Sequence, residues 1–203
     1  MGISVAALRE QLEVARALGL VEVKPRTGIR RQAYSFFPAV NQSLMYAVQL
    51  DRSYFNAFAE LRDHVEASFW FEAVQKLQPE DQQQLQSFVE QAWSLLNGSP
   101  VQIPHDEHRK LHLTIFSRLD NPFVTGILEA YWDAYEATGL NVFTEYAYLQ
   151  QVWSYHQKMV DAICQGDFEV GYTALVEHKD MLYHRPADNI RIQTMKQTHR
   201  KSS

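Results

Sequence analysis

Residues 155–178 of the chain are YHQKMVDAICQGDFEVGYTALVEH. Gly166 and Asp167 interrupt an otherwise helical pattern, since glycine commonly ends a helix and aspartate caps the next one. The stretch is therefore predicted to be a helical hairpin. His156 lies ten residues before Gly166, and His178 lies twelve residues after it. At a rise of about 1.5 Å per residue, the two histidines stand at about 15 and 18 Å from the turn and face each other.

A second pair of histidines lies on a helix predicted at residues 105–119. His108 and His112 are four residues apart, so they share one face of that helix. Apolar neighbours place His156 and His178 on inward faces as well. Four histidines that converge in the core of a helix bundle are typical of a metal site, because each neutral imidazole offers one lone pair. The spacing leaves separate structural or pocket histidines open as the alternative.

The composition restricts the class of protein. The 203 residues include 46% hydrophobic and 12% aromatic side chains but only 8 Gly and 7 Pro, which permits a sizeable core and long helices. No apolar run approaches the roughly 18 residues that span a bilayer, and the N-terminus lacks a signal-peptide pattern. The single Cys164 excludes an internal disulfide framework. These features predict a cytoplasmic protein without a membrane partner.

Helical patterns cover most of the chain, and the predicted fold class is therefore all-α. The predicted helices, separated by Gly and Pro punctuation, lie at residues 40–76 (with a break near Leu50), 79–96, 105–119, 122–138, 142–165 and 168–184. Short connections between consecutive helices imply antiparallel neighbours. The sequence therefore predicts an antiparallel helix bundle.

The first 33 residues have a different pattern. Ser4 is a good N-cap for a helix over residues 4–18, and two short strands follow around the turn 25–28. Residues 1–33 carry a net charge of +3, whereas the remaining residues carry −8. A helix followed by a hairpin with a basic turn is typical of the second half of a winged helix-turn-helix. The charge asymmetry suits a small DNA-facing head, and ordinary fluctuation of charge accounts for it equally well.

Several stretches of the chain resemble the FadR-like GntR family of bacterial transcription regulators. Residues 108–122, HRKLHLTIFSRLDNP, and residues 155–178 resemble the two signatures of the family's C-terminal FCD domain. Residues 61–66, LRDHVE, are similar to an Arg-x-x-x-Glu helix of that domain. Residues 2–12 and 19–28 resemble the family's recognition helix and wing.

The resemblance implies a divalent metal at the bottom of an effector pocket. The family commonly holds this metal with one Asp and three His, and the three His correspond to His112, His156 and His178. The position of the Asp is occupied here by His108, which is a departure from the family pattern. Four neutral imidazoles leave the charge of the ion at +2, which favours an additional anion. All-nitrogen ligation favours Zn²⁺ or Ni²⁺ over oxygen-seeking ions.

The effector predicted for this pocket is a small carboxylate. Arg62 is the predicted effector-binding residue, because a guanidinium grips a carboxylate in two places. An ion pair between Arg62 and Glu66 on a solvated face is the alternative. His105 and Asp106 are the substitute metal ligands if the register of their helix differs from the prediction.

The resemblance also implies DNA contacts in the N-terminal residues. The positions that match the family's DNA-contacting residues are Ser4, Arg9, Lys24, Arg26, Thr27 and Gly28. Val5 stands where the family usually has an Arg, and the first two helices of the family's head are absent from this sequence. A misassigned gene start, a truncation or a real loss each explains that absence. We therefore expect weak or no specific operator binding by this chain alone.

These observations predict four segments. They are a partial winged-helix head at residues 1–33, a connector at 34–40, an FCD-like effector- and metal-binding domain at 41–184, and a polar basic tail at 185–203. The predicted function is that of a homodimeric, ligand-responsive transcription regulator, not an enzyme, whose effector controls binding to a DNA operator. A metal-dependent enzyme with a His-rich helical core, and a sensor domain that no longer binds DNA, are the two alternatives.

Overall fold

The computed structural model describes residues 4–139 and 145–182. The described residues form eight helices and one antiparallel two-stranded sheet: α1 (Val5–Ala17), β1 (Val21–Lys24), β2 (Gly28–Arg31), α2 (Phe37–Leu50), α3 (Ser53–Lys76), α4 (Pro79–Leu96), α5 (His105–Ile115), α6 (Pro122–Ala137), α7 (Tyr146–Gln165) and α8 (Phe168–Leu182). The predicted all-α fold with one helix and a hairpin at its start is confirmed. No helix in the described ranges is long and apolar enough to cross a membrane.

Two predicted boundaries need correction. The connector predicted at 34–40 is too long, because α2 already begins at Phe37 with a proline in its first turn. Proline fits there, since the first turn of a helix does not use its backbone N–H groups. The helix predicted at 105–119 ends at Ile115. The Ser117 hydroxyl donates to the Thr114 carbonyl over 2.8 Å, and such a local bond competes with a further helical turn. The tail predicted at 185–203 lies outside the described residues.

Packing divides the chain into two compact units, which differ from the predicted domains. The first unit comprises Met1–Val65 and Leu119–Thr138. In this unit α1 is linked to α2 by the Gln42 amide, which donates to the Ala17 carbonyl over 2.7 Å. The two strands pair with Val21 opposite Arg31 and Lys24 opposite Gly28. The N-terminal helix and hairpin therefore share a unit with part of the helical body.

The core of the first unit depends on the close approach of α2 and α6. A Cβ atom on Gly126 would lie 2.7 Å from the backbone nitrogen of Phe37, so only glycine permits this packing. The Phe55 ring stacks on the Tyr131 ring at a centroid distance of 5.5 Å, and both side chains are buried. Aromatic contacts of this kind add to the stabilisation that burial alone gives.

The second unit comprises Glu66–Arg118 and Gly139–Ser203. Within it, α7 and α8 form the predicted hairpin. Gly166 adopts the left-handed conformation with φ 76°, and the Asp167 N–H donates to the Ala162 carbonyl over 2.9 Å. The indole N–H of Trp70 donates to the Phe168 carbonyl over 2.9 Å and so ties the start of α8 to α3. The largest fully buried apolar side chains of this unit are Trp70, Leu85, Leu96, Leu111, Ile115, Phe116, Trp153 and Met159.

An ion pair fixes the start of α4 within the same unit. Arg118 contacts both carboxylate oxygens of Asp81, at 2.8 and 2.9 Å, and the Gln78 N–H donates to the same carboxylate over 2.9 Å. These bonds favour the ionised carboxylate, with the Arg118 bond as the largest cause, and they lower the pKa of Asp81. The pair closes the first turn of α4 against the segment that follows α5.

Candidate metal centre

Helix α5 places two histidines on its inward face. The rings of His108 and His112, one turn apart, lie with their centroids 5.1 Å from each other. Leu111 and Ile115 on the same helix are fully buried, which fixes the rotation of α5 about its axis. The four-residue spacing recognised in the sequence therefore does bring both imidazoles to one face.

The hairpin of α7 and α8 places the other two histidines opposite each other. The ring centroids of His156 and His178 are 4.5 Å apart. Their similar heights above the Gly166 turn follow from the helical rise, as the sequence predicts. Both side chains are fully buried.

The two pairs meet and form what we call the histidine cluster, which consists of His108, His112, His156 and His178. One ligand atom from each residue can be chosen so that all four atoms lie within 4.8 Å of one another. The Nε2 atoms of His112 and His156 are 3.1 Å apart. In a tetrahedral zinc site with Zn–N bonds of 2.0–2.1 Å, neighbouring nitrogens are about 3.3 to 3.4 Å apart. The His112–His156 separation is close to this value, and the other separations in the cluster lie within 4.8 Å.

Burial differs among the four members. His112, His156 and His178 are 0% exposed, whereas His108 is half-buried. The Trp153 ring packs against the His156 ring at a centroid distance of 4.8 Å and helps to exclude water on that side. The donor set fits a divalent ion of intermediate softness, because it consists of imidazole nitrogens in a largely dry site. The side of the cluster at His108 is its most accessible side.

Glu66 of α3 also contacts the histidine cluster. Its carboxylate oxygen Oε1 lies 3.1 Å from Nδ1 of His112, and both side chains are 0% exposed. An ionised carboxylate only accepts hydrogen bonds, so Nδ1 of His112 carries the proton and donates it. The lone pair of this imidazole is then on Nε2, the atom that faces His156. The sequence placed Glu66 only in an Arg-x-x-x-Glu pattern, and its distance of 46 residues from His112 hid this contact.

The substitute ligands named in the sequence analysis are not part of this group. Among the residues that the structure describes, the group that can hold a metal contains neither His105 nor Asp106. His108 lies in the group together with His112, His156 and His178. Its correspondence to the Asp position of the family stays a prediction.

The structure places Arg62, the predicted effector ligand, in the core of the first unit. It is 1% exposed, and its Nη1 atom lies 3.1 Å from Oδ1 of Asp63. The guanidinium carbon lies 4.5 Å from the centroid of the Tyr131 ring, a cation–π geometry. Because Arg62 and Glu66 are both buried, the alternative of an ion pair on a solvated face is wrong. Contact between Arg62 and an effector stays a prediction.

The predicted DNA-contacting residues are all exposed, namely Ser4, Arg9, Lys24, Arg26, Thr27 and Gly28. The hydroxyl of Ser4 accepts from the Ala7 N–H over 3.1 Å and so caps α1. Arg26 and Gly28 adopt positive φ values of 68° and 81° in the turn between the strands. The ammonium of Lys24 is 3.1 Å from a Glu22 carboxylate oxygen. Contact of these residues with DNA stays a prediction.

Comparisons with known proteins agree with this architecture. A family model described as FCD domain matches residues 57–180. A GntR family transcriptional regulator from Pseudomonas syringae pv. tomato has a similar structure, with a TM-score of 0.52, 14% identity, and coverage of 97% of this chain and 75% of that chain. E. coli McbR/YncC is also similar, with a TM-score of 0.55, 19% identity, and coverage of 96% and 82%. A comparison with curated proteins gave no match.

Proposed function

The chain belongs to the FCD domain family, and from this premise we propose that it is a ligand-responsive transcription regulator whose helical domain binds a divalent metal. The observation that carries the proposal is the histidine cluster, with its four candidate ligand atoms within 4.8 Å of one another in the core of one compact unit. The likeness in fold to GntR-family regulators supports the same class of function. Turnover of a substrate is not part of the proposal.

The proposed metal is Zn²⁺ or Ni²⁺. Imidazole nitrogen suits both ions, whereas Mg²⁺, Ca²⁺ and Mn²⁺ prefer carboxylate, carbonyl and water oxygens. All four members of the cluster offer nitrogen, and three of the four are fully buried. When bound, the metal supplies a Lewis-acidic centre that an additional ligand can reach. The half-buried His108 marks the side from which such a ligand would approach.

The proposed effector is a small carboxylate. Four neutral imidazoles leave the charge of a divalent ion at +2, and the Glu66 carboxylate behind His112 reduces the net charge of the centre to +1. A low-dielectric core strengthens the attraction of this remaining positive charge for an anion. Contact of Arg62 with the effector is proposed from the sequence resemblance, because a guanidinium can hold a carboxylate in two places.

The proposed output is a change in binding to a DNA operator by a homodimer. The exposed basic residues of α1 and the hairpin supply the electrostatic contacts with phosphates that such binding requires. The effector would change operator affinity by binding one state of the protein more tightly than the other. Val5 provides no base contact of the kind that arginine makes, which favours low sequence specificity.

Selection of genomic fragments by the zinc-loaded full chain tests this proposal. Fragments that the protein retains are measured again in an electrophoretic shift assay, with and without a panel of small mono- and dicarboxylates. We expect at least one carboxylate to change the retained fraction, and we expect the change to disappear after the metal is removed by a chelator. Retained fragments whose retention every carboxylate leaves unchanged would overturn the proposed regulation by an effector. Retention of no fragment would overturn operator binding by this chain and favour the sensor domain that no longer binds DNA.

A further inference from the structure

We propose that Glu66 is a positioning residue of the metal centre: its carboxylate holds His112 in the form that binds metal through Nε2. This inference rests on the proposed metal site. It concerns a residue outside the four ligands, which acts on the metal only through His112. The inference rests on the contact between Glu66 and His112, on the burial of both side chains, and on the direction of the Nε2 lone pair of His112.

The contact lies on the side of His112 away from the other histidines. Nδ1 of His112 is 3.1 Å from Oε1 of Glu66, and Nε2 of the same ring is 3.1 Å from Nε2 of His156. The two ring nitrogens therefore have different partners. A neutral imidazole carries one proton, and the nitrogen without the proton is the one that can bind a metal. The carboxylate keeps the proton on Nδ1 and directs the lone pair of Nε2 into the cluster.

The burial of Glu66 gives a second reason for this role. Nearby positive charge stabilises a buried carboxylate, whatever other groups the carboxylate contacts. A divalent ion on Nε2 of His112 supplies positive charge through the ring to which Glu66 is bonded. The carboxylate in turn makes the imidazole more basic and lowers the net charge of the centre. Metal, His112 and Glu66 therefore stabilise one another.

Substitution of Glu66 separates the effect of orientation from that of charge. Glu66→Gln retains a side-chain oxygen that accepts from Nδ1 but removes the negative charge, whereas Glu66→Ala removes both. Loss of a partner of this kind typically weakens metal binding about 10- to 100-fold. We therefore expect a loss in that range for Glu66→Ala and a smaller loss for Glu66→Gln. Asp81→Asn is the matched control, since Asp81 is a buried acid of the same unit that is paired with Arg118.

The experiment measures the Zn²⁺ affinity of the metal-stripped full chain by competition with a chromophoric chelator. The expected result is the graded loss in the two Glu66 variants and no change in Asp81→Asn. A double-mutant cycle with His112→Ala gives the readout that a merely structural role would not move. If Glu66 acts through His112, Glu66→Gln should change affinity less than about twofold in the His112→Ala background.

The outcomes distinguish the inference from the proposed metal site. If the unaltered chain binds no Zn²⁺ or Ni²⁺, the metal site itself is overturned. If the unaltered chain binds Zn²⁺ and both Glu66 variants match its affinity within about twofold, only the role of Glu66 is overturned. Should Glu66→Ala fail to fold, Glu66→Gln alone decides, because it preserves the size of the side chain. An equal loss with and without His112 also contradicts the inference.

Discussion

Replacement of His156 by alanine should remove most of the stabilisation that a bound metal gives. His156 is fully buried, and its ring is central to the cluster, with centroids 4.5 Å from those of His108 and His178 and 5.2 Å from that of His112. Its Nε2 atom is 3.1 Å from Nε2 of His112. The variant lacks one of four donors, and a partly assembled site binds metal more weakly.

The expected magnitude follows from the linkage between binding and folding. At a free metal concentration 100 times the dissociation constant, a bound ion adds about 2.7 kcal/mol to the free energy of unfolding. For a chain of this size, that corresponds to a rise in Tm of about 5 to 11 °C. If the loss of one ligand weakens binding 100-fold, the same metal concentration adds only about 0.4 kcal/mol, or about 1 to 2 °C.

The assay is thermal unfolding of the metal-stripped full chain, followed by circular dichroism, with and without added Zn²⁺. Each variant is compared with its own metal-free form, so the cost of the substitution to the fold cancels. His64→Ala is the matched control, because His64 is exposed on α3 and lies outside the cluster. A rise in Tm for His156→Ala equal to that of the unaltered chain would refute the reasoning.

Three further predictions concern the packing, the ion pair and the effector. Gly126→Ala should lower the free energy of unfolding by about 1 kcal/mol in a urea titration, because overpacking against the Phe37 backbone costs about 2 kcal/mol and outweighs the gain of about 1 kcal/mol in helix propensity; unchanged stability would contradict the packing. Asp81→Asn should be less stable than the unaltered chain at pH 7. The difference should shrink as the pH falls below the usual 3.8 through the lowered pKa of Asp81, because only the ionised carboxylate gains from Arg118; a difference that persists in acid contradicts the assigned cause. A small carboxylate that binds at the metal should raise Tm in the zinc-loaded chain and not in the stripped chain; an equal rise in both would place its binding elsewhere.

The helical hairpin shows what local sequence determines. Gly166 and Asp167 mark a turn that depends only on the conformation of neighbouring residues, and the structure has that turn. The meeting of His156 and His178 follows from it, because the helical rise converts residue counts into heights. In the same way, the four-residue spacing of His108 and His112 predicts that they share one face of α5.

The meeting of the two histidine pairs depends on tertiary packing. Helix α4 packs against both α5 and α7, and spacing along the chain does not specify which faces these helices present to each other. The resemblance to a known family supplied that information. The contact of Glu66 with His112 joins distant residues for the same reason, and its four-residue spacing from Arg62 suggested an ion pair on the surface instead.

Local side-chain bonds and burial account for the remaining differences. The end of α5 near Ser117 and the start of α2 near Pro38 differ by a few residues from the predicted boundaries. Helix ends are the part of a helix that local sequence patterns define least well. The burial of Arg62 is not visible in its sequence neighbourhood, because arginine is usually exposed. The Tyr131 ring, which lies against the guanidinium together with Asp63, belongs to its tertiary surroundings.

Metal quantification after equilibrium dialysis is the most direct test of the central claim. The metal-stripped full chain is dialysed against buffered Zn²⁺ or Ni²⁺, and bound metal is measured by inductively coupled plasma mass spectrometry. We predict about one ion per chain for the unaltered protein and for His64→Ala, and strongly reduced occupancy for His112→Ala and His178→Ala. No bound metal in the unaltered chain, or undiminished occupancy in both cluster variants, would contradict the account.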